Sequence, residues 1–468
     1  MKNNIWLIWL AVMWENLARN IANNWYTISV FNRSTDKVEN FISQWYNWNL
    51  KWTYSIQEFV ESLERPRKII IMVKAWDPVD QTIESLKDYL EEWDIIIDAG
   101  NSFYKDSIRR FEDLKKDWIN FVWMWVSWWE EWALKWPSIM PWTNYESYEK
   151  IENILKDISA NDFQWWKCVS YIWEDWSGHF VKMVHNGIEY AIMQMMAEWY
   201  DILRKVYKLE AKEISKIFEQ FNKWKLNSYL FEIATEVLAK EDEFNSWEYL
   251  IDNILDKAWA KWTGLWTSKE WLDAWVCVNS ISAAVDARNL SWEKDKRKKL
   301  SKIYSFEWTE NTVNLDEFIE ILEESLYIWM LIAYAQWLDL IKKTSQENWW
   351  NINLSEVTRI WQWWCIIRAK LLEFLTNVFK NNENFDTILE LEEISSEIKS
   401  NIDRYQKLIE IANQNKLSLL ALSNAINYIY SLADANTSAN FIQWLRDYFG
   451  AHTYERKDRE WIFHTKWE

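Results

Sequence analysis

Residues 5–16 read Ile5-Trp6-Leu7-Ile8-Trp9-Leu10-Ala11-Val12-Met13-Trp14-Glu15-Asn16. The opening four residues are a short apolar strand, and residues 14–24 carry a helical pattern. With glycine at 9 and 14 the stretch between them becomes G-x-A-x-x-G in the strand–turn–helix setting of the dinucleotide fingerprint. The first position must make a tight turn, and the middle one must let the backbone approach a pyrophosphate. The last allows helix and sheet to pack closely, and the phosphates then rest on a helix N-terminus. As written, two indoles stand where the fingerprint needs no side chain.

That conflict runs through the whole chain. Its 468 residues include Trp 41 and Gly 5, whereas an average chain of this length carries roughly thirty glycines. The two counts together come close to a normal glycine count plus a few tryptophans. Trp128-Trp129, Trp165-Trp166 and Trp363-Trp364 are adjacent pairs in loop-like contexts. Trp93, Trp142 and Trp224 sit at turn or helix-stop positions that call for φ > 0 or a missing Cβ. A UGA codon is read as stop, tryptophan or glycine under different genetic codes. Most of these tryptophans are therefore expected to be glycine codons translated with a tryptophan table. The competing expectation is a truly Trp-rich chain with an aromatic binding surface, but no Trp stripe follows a helix or strand period.

The formal net charge is −18, from 53 basic and 71 acidic residues. This argues against nucleic acid or anionic membrane as a main partner, not against a small anion in a local basic pocket. Cys168, Cys277 and Cys365 are scattered and odd in number, which suits a reducing compartment better than disulfides or a metal site. No signal peptide and no transmembrane-length apolar run are read, so the expectation is a cytoplasmic chain without a metal.

Apolar strands alternate with helices through the first third: 5–8, 26–31, 68–73, 94–98 and 119–122. This predicts an α/β Rossmann-like, doubly wound parallel sheet. From about 177 the apolar period becomes 3.6 over 180–206, 211–222, 226–240, 313–344, 354–379 and 385–413, an all-α domain. The expected domains are 1–176 for the cofactor, 177–434 for substrate and dimerisation, and a C-terminal tail at 435–468. At the end of the second strand, Asn32-Arg33-Ser34 replaces the acid that usually takes a ribose 2′-hydroxyl. Arginine between amide and hydroxyl suits a 2′-phosphate, so the cofactor is read as NADP.

Residues 178–193 place Lys182, His185, Asn186, Glu189 and Tyr190 at i, i+3, i+4, i+7 and i+8. All five share one helical face, while the other faces are apolar. Such a helix is buried, and its polar stripe lines a cavity. A lysine and a glutamate two turns apart serve as separate base and acid if burial tunes them. Gly187 inside the helix implies close approach of a neighbour. A solvated amphipathic face is the plain alternative, and single residues such as Lys261 or Arg288 would by themselves pass for surface charges.

With glycine restored, Trp6–Asn16 resembles the I-G-L-x-G-L-A-V-M-G-x-N stretch of the 6-phosphogluconate dehydrogenase family. Asp98-Ala99-Gly100-Asn101-Ser102 resembles its D-G-G-N-S, and 126–142 its V-S-G-G-E-E-G-A and K-G-P-S-I-M-P-G segments. Residues 178–190 are similar to G-H-F-V-K-M-V-H-N-G-I-E-Y, 261–267 to K-G-T-G-K-W-T, and 446–456 to R-D-x-F-G-A-H-x-Y-x-R. Ala99, Ala191 and Leu265 depart from the family pattern. Trp266, Trp361 and Trp467 fall where the family has tryptophan, so UGG is expected there and UGA at 9, 14, 128, 129 and 142.

The resemblance implies oxidative decarboxylation of 6-phosphogluconate to ribulose 5-phosphate and CO2 with reduction of NADP, without a metal. It implies Lys182 as general base and Glu189 as general acid. Cofactor contacts fall on Trp9, Leu10, Ala11, Val12, Met13, Trp14, Asn32, Arg33, Ser34, Val73, Lys74, Ala75 and Asn101. Asn101, Ser127, Trp128, Trp129, His185 and Asn186 are implied for the substrate's hydroxyls and carboxylate. Tyr190, Lys261, Thr263, Arg288 and Arg446 are implied for its phosphate. His452 is implied as a tail residue reaching the partner of a homodimer. The remaining alternatives are another β-hydroxyacid dehydrogenase, or an inactive protein if the tryptophans are real.

Overall fold

The computed structural model describes residues 3–8, 12–32, 34–45, 47–126, 130–135, 137–162, 164–171, 177–245, 247–259, 262–304, 306, 313–363, 365–382 and 384–467. The short β-branched runs of the first third form seven strands. They are β1 (Ile5–Ile8), β2 (Ile28–Phe31), β3 (Leu50–Trp52), β4 (Lys68–Ile71), β5 (Ile95–Asp98), β6 (Asn120–Val126) and β7 (Ile139–Trp142). Their order is β3-β2-β1-β4-β5-β6-β7. The first six are parallel, with β1 beside both β2 and β4, as the sequence pattern leads one to expect.

β7 adds an antiparallel edge that the sequence reading did not contain. Its cause is the connection. The helix Glu130–Lys135 has 6 residues and covers about 9 Å. β6 has 7 residues and covers about 23 Å. So short a helix does not carry the chain back along the strand, and it returns antiparallel.

Alternate residues of each strand feed two cores. Leu7, Val30, Ile70, Ile97 and Met124 face one side, where Leu17, Ile21, Phe41 and Leu155 of flanking helices cover them. Ile8, Ile69, Ile71, Ile96 and Phe121 face the other side, whose core runs without a break into the helical half of the molecule. The long helix Ser177–Lys205 is the joint. It packs on β6 and β7 and also on the helices Trp262–Asp273, Asn279–Trp292 and Leu315–Glu347.

The sequence reading of one helix over 354–379 is corrected. The chain forms Leu354–Ile360 and Lys370–Asn381 with a turn between them. The backbone at 368–370 leaves the helical ladder for another segment: Tyr229 N donates to Arg368 O and Lys370 N to Asn227 O. That turn carries Cys365 into the molecule's interior.

The tail is a helix, Ala439–Gly450, followed by a small antiparallel pair, Tyr454–Glu455 with Ile462–Phe463. Asp447 is its organising group. Its carboxylate is buried and accepts from Thr453 N, Thr465 N, His464 Nδ1 and Trp467 Nε1. Phe441, Ile442, Trp444, Leu445, Tyr448 and Phe449 of the tail helix are all exposed. Among the described residues, no helix is long and apolar enough to cross a membrane.

The backbone separates tryptophans from ordinary L-residues. Trp25, Trp76, Trp93, Trp118, Trp165, Trp275, Trp349 and Trp461 all have φ between 54° and 102°. Only four other non-glycine residues share that region among those described: Lys208, Lys416, Ala451 and Thr453. Trp25, Trp118, Trp275 and Trp349 each follow closely on a helix C-terminus, where glycine normally stands. Each bulky residue so placed costs about 1–2 kcal/mol. Eight of them approach the whole net stability of a domain, roughly 5–15 kcal/mol.

Candidate active site

Asp98 ends β5 inside the protein, and its carboxylate shapes the following loop. It accepts from Gly100 N at 3.0 Å and from Ser102 Oγ at 2.6 Å. A Cβ on Gly100 would lie 3.1 Å from Asp98 Oδ1 and 3.2 Å from Val73 O, so the loop passes against the backbone beyond β4. Asn101 therefore stands past the carboxyl end of β5, one strand from the neighbours β1 and β4 between which the strand order reverses. Its Oδ1 is buried and has no hydrogen-bond partner among the described residues.

The Ser177–Lys205 helix closes the other side of this cleft. Asn101, Ser102 and Phe103 line it with His179, Lys182, Asn186 and Trp266. Lys182, His185, Asn186 and Tyr190 are buried, and Glu189 is half-buried. The one-face reading of the helix thus holds, and the face looks inward. Lys182 Nζ lies 3.3 Å from His185 Nδ1. Burial, and then the charge of Lys182, hold the His185 imidazole well below its usual range, so it is neutral.

The neighbouring helices fix this one by close contact. A Cβ on Gly187 would come within 2.7 Å of Ile281 Cδ1 and 3.0 Å of Thr267 Cγ2. This is the close approach expected of a glycine in mid-helix. Thr267 Oγ1 donates to Met183 O at 2.8 Å. Gly264 packs as tightly on the Tyr190 ring. The Arg288 guanidinium lies 3.5 Å from the centroid of that ring, with Nη1 donating to Trp259 O. Burial holds Arg288 below its ordinary value. Tyr190 and Arg288 thus form a cationic corner one turn beyond Asn186.

Asn32 is buried at the end of β2, its Nδ2 donating to Ser34 O, while Ser34 is exposed. Val73 is buried, Ala75 half-buried and Lys74 exposed. Arg446 and His452 are exposed and make their contacts within the tail, Arg446 with Gln443 and His452 with Phe449. Trp9, Leu10, Ala11, Arg33, Ser127, Trp128, Trp129 and Lys261 lie outside the described residues. Val12, Met13, Trp14 and Thr263 are in helices whose side chains there are not described.

Two participants were missed from sequence. Cys365 Sγ lies 3.3 Å from His185 Nε2; a cysteine far off in the chain gives no local signal. Trp125 of β6 puts its ring centroid 3.7 Å from Lys182 Nζ and 5.0 Å from the His185 ring. Its Nε1, like those of Trp123 and Trp142, is buried with no partner among the described residues.

A mostly parallel sheet with an orphaned amide at its carboxyl edge, facing a helix that presents buried lysine, histidine and asparagine and a half-buried glutamate, is the architecture of a dinucleotide-dependent dehydrogenase. Models of the 6-phosphogluconate dehydrogenase NAD-binding domain and C-terminal domain match residues 4–172 and 178–467. The decarboxylating 6-phosphogluconate dehydrogenase of Escherichia coli is 42% identical over 470 residues, covering 100% of this chain and 99% of its own. The NADP(+)-dependent, decarboxylating enzyme of Bacillus subtilis is 43% identical over 472 residues, with the same coverage. The solved 6-phosphogluconate dehydrogenase of Plasmodium falciparum superposes with a TM-score of 0.95 at 36% identity, covering 99% of this chain and 100% of its own. This chain belongs to the 6-phosphogluconate dehydrogenase family.

Proposed function

We propose that the protein oxidises and decarboxylates 6-phosphogluconate to ribulose 5-phosphate and CO2, with NADP as hydride acceptor, in the cytoplasm and as a homodimer. The observation that carries this reading is the helix face with Lys182, His185 and Asn186 buried and Glu189 half-buried, whose Lys182 and Asn186 line a cleft with the Asn101 loop. NADP, named by the Bacillus subtilis relative and by the Plasmodium falciparum structure title, fits the close-packed Gly100 loop and the unpartnered Asn101 amide oxygen. Asn32, Arg33, Ser34, Val73, Lys74, Ala75 and the 9–14 turn would hold it. Held there, the nicotinamide would supply the hydride acceptor for oxidation at C3 of the substrate.

The remaining chemistry belongs to this chain. Lys182 takes the C3 hydroxyl proton as hydride leaves. As an ammonium it then stabilises negative charge on the 3-keto oxygen while the C1 carboxylate departs as CO2. Glu189 protonates C1 of the resulting enediol. His185 and Asn186 orient hydroxyls and carboxylate. Tyr190 and Arg288, joined by Lys261, Thr263 and the partner's tail, bind the phosphate dianion, which explains how an acidic protein holds an anion. The division into 1–176, 177–434 and 435–468 goes with this assignment.

The same reading takes most tryptophans as translated UGA codons that specify glycine. Positive φ at eight of them supports this, as do indoles more than 80% exposed at 25, 165, 275 and 349. With glycine at 125 the indole over Lys182 disappears and leaves room for the substrate. The test is to isolate the protein from its source, sequence peptides over 121–142, and assay NADPH and CO2 release from 6-phosphogluconate. Glycine at 128, 129, 132, 136 and 142 with stoichiometric CO2 is the expected result. Tryptophan there, or activity only on simpler β-hydroxyacids, would overturn it.

A further inference from the structure

A line of polar atoms runs behind Lys182, and it has a direction. It starts at the main-chain carbonyl of Trp361, which can only accept. Cys365 Sγ stands 3.5 Å from that oxygen and donates its S–H to it. A thiol has one hydrogen, so toward His185 Nε2 at 3.3 Å the sulfur accepts. His185 must then carry its proton on Nε2. Its Nδ1 is a bare lone pair, and 3.3 Å from it stands Lys182 Nζ. Asn186 Oδ1 stands 3.4 Å from the same Nδ1; a lone pair at Nδ1 calls for this amide turned over, so that its NH2 and not its oxygen meets the ring.

We propose that Cys365 is a positioning residue for the reaction: by accepting from His185 Nε2 it holds the imidazole in the tautomer whose Nδ1 receives a hydrogen bond from Lys182. The proposal rests on reading Lys182 as the base. Cys365 and His185 are fully buried, and Lys182 nearly so. Burial pushes the thiol up to about 12, so it keeps the proton the line requires. The Nε2–H tautomer offers Lys182 an acceptor and so favours the ammonium that forms when the base has taken its proton. The other tautomer would donate Nδ1–H to the neutral amine and make Lys182 a weaker base. The charged groups that reach this line are Lys182 and Glu189 of the same helix and Arg368 from the turn after Cys365. The rings of Trp125 of β6 and of Trp361 face it without charge.

Three measurements test this on the full-length protein. Neutron diffraction should place hydrogen on Nε2 of His185 and none on Nδ1; hydrogen on Nδ1 overturns the proposal. Cys365→Ala should lower kcat roughly tenfold, the size of one buried hydrogen bond lost. It should also move the acid limb of the kcat profile to lower pH, with KM for NADP unchanged. Cys365→Ser, which keeps both donor and acceptor, should restore the wild-type profile. Equal loss in both variants, or an acid limb that does not move in Cys365→Ala, assigns Cys365 a packing role only and overturns the proposal. If Lys182→Met retains activity, the base assignment fails, while the tautomer stands or falls on the diffraction result.

Discussion

Lys182 Nζ is held against His185 Nδ1 at 3.3 Å in a nearly closed pocket. A general base, the role proposed for Lys182, contributes about 10²–10⁴-fold. Lys182→Met is therefore expected to cut kcat by about a thousandfold while NADP still binds, measured by steady-state rates and by cofactor titration. Glu189→Gln should leave hydride transfer intact and slow the release of ribulose 5-phosphate, read as NADPH formed ahead of product in a single turnover. His179, beside them, is a buried neutral imidazole. Burial pulls it down to about 4 from 6.5, although Nδ1 pairs with Ser107 Oγ. The unfolded chain binds that proton first, so stability is complete above about pH 6.5 and is lost as pH falls toward 4. The shift corresponds to about 3 kcal/mol. His179→Asn should flatten that part of the stability–pH curve in urea melts at pH 4.5 and 7. An unchanged slope would remove His179 from the account.

At the scale of elements, the Ser177–Lys205 helix owes its position to both ends of its contact surface. Glu198, near its C-terminal end, reaches the helix Leu420–Leu432 and accepts from Ala421 N at 2.8 Å and Leu422 N at 3.0 Å. Those are amides that no helical carbonyl can satisfy. Burial raises the carboxyl to about 7 despite these donors. Protons are then bound by the folded state between about pH 4.5 and 7, and this contribution is lost as pH rises through 7. Glu198→Ala leaves two buried N–H groups unpaired and should cost about 2–4 kcal/mol. Glu198→Gln should cost less and abolish the pH dependence. Thermal melts at pH 5 and 8 read both effects.

At the scale of the whole molecule, the tail helix exposes its apolar side while Asp447 holds the tail's fold, which agrees with the proposal that the tail lies on the partner of a homodimer. A chain ending at 434 is expected to be monomeric by sedimentation and to lose at least a hundredfold in kcat/KM for 6-phosphogluconate while still binding NADP. A truncated chain that stays dimeric and active would remove Arg446 and His452 from the site.

Much of this was legible before any coordinates. The apolar runs at 5–8, 26–31, 68–73 and 94–98 read as buried strands, because both faces are largely apolar, and strands form within each of them. The stripe from Lys182 to Tyr190 could only be a helix face, because 3.6 residues make a turn. Of the tryptophans that the sequence marks as standing in turns, Trp93 and Trp165 have φ > 0, whereas Trp224 does not and Trp142 is a buried residue of β7, a correction to its reading as a turn position. These properties belong to neighbours along the chain, and sequence alone determines them. Tertiary structure decided the rest. It decided the antiparallel return of β7, the break between Ile360 and Lys370, and the meeting of His185 with Cys365 across 180 positions. It also decided the depth to which Glu198 is buried. Each depends on which distant segment takes a strand edge, a backbone amide or a buried polar atom, and no local pattern encodes a partner that only the fold brings near.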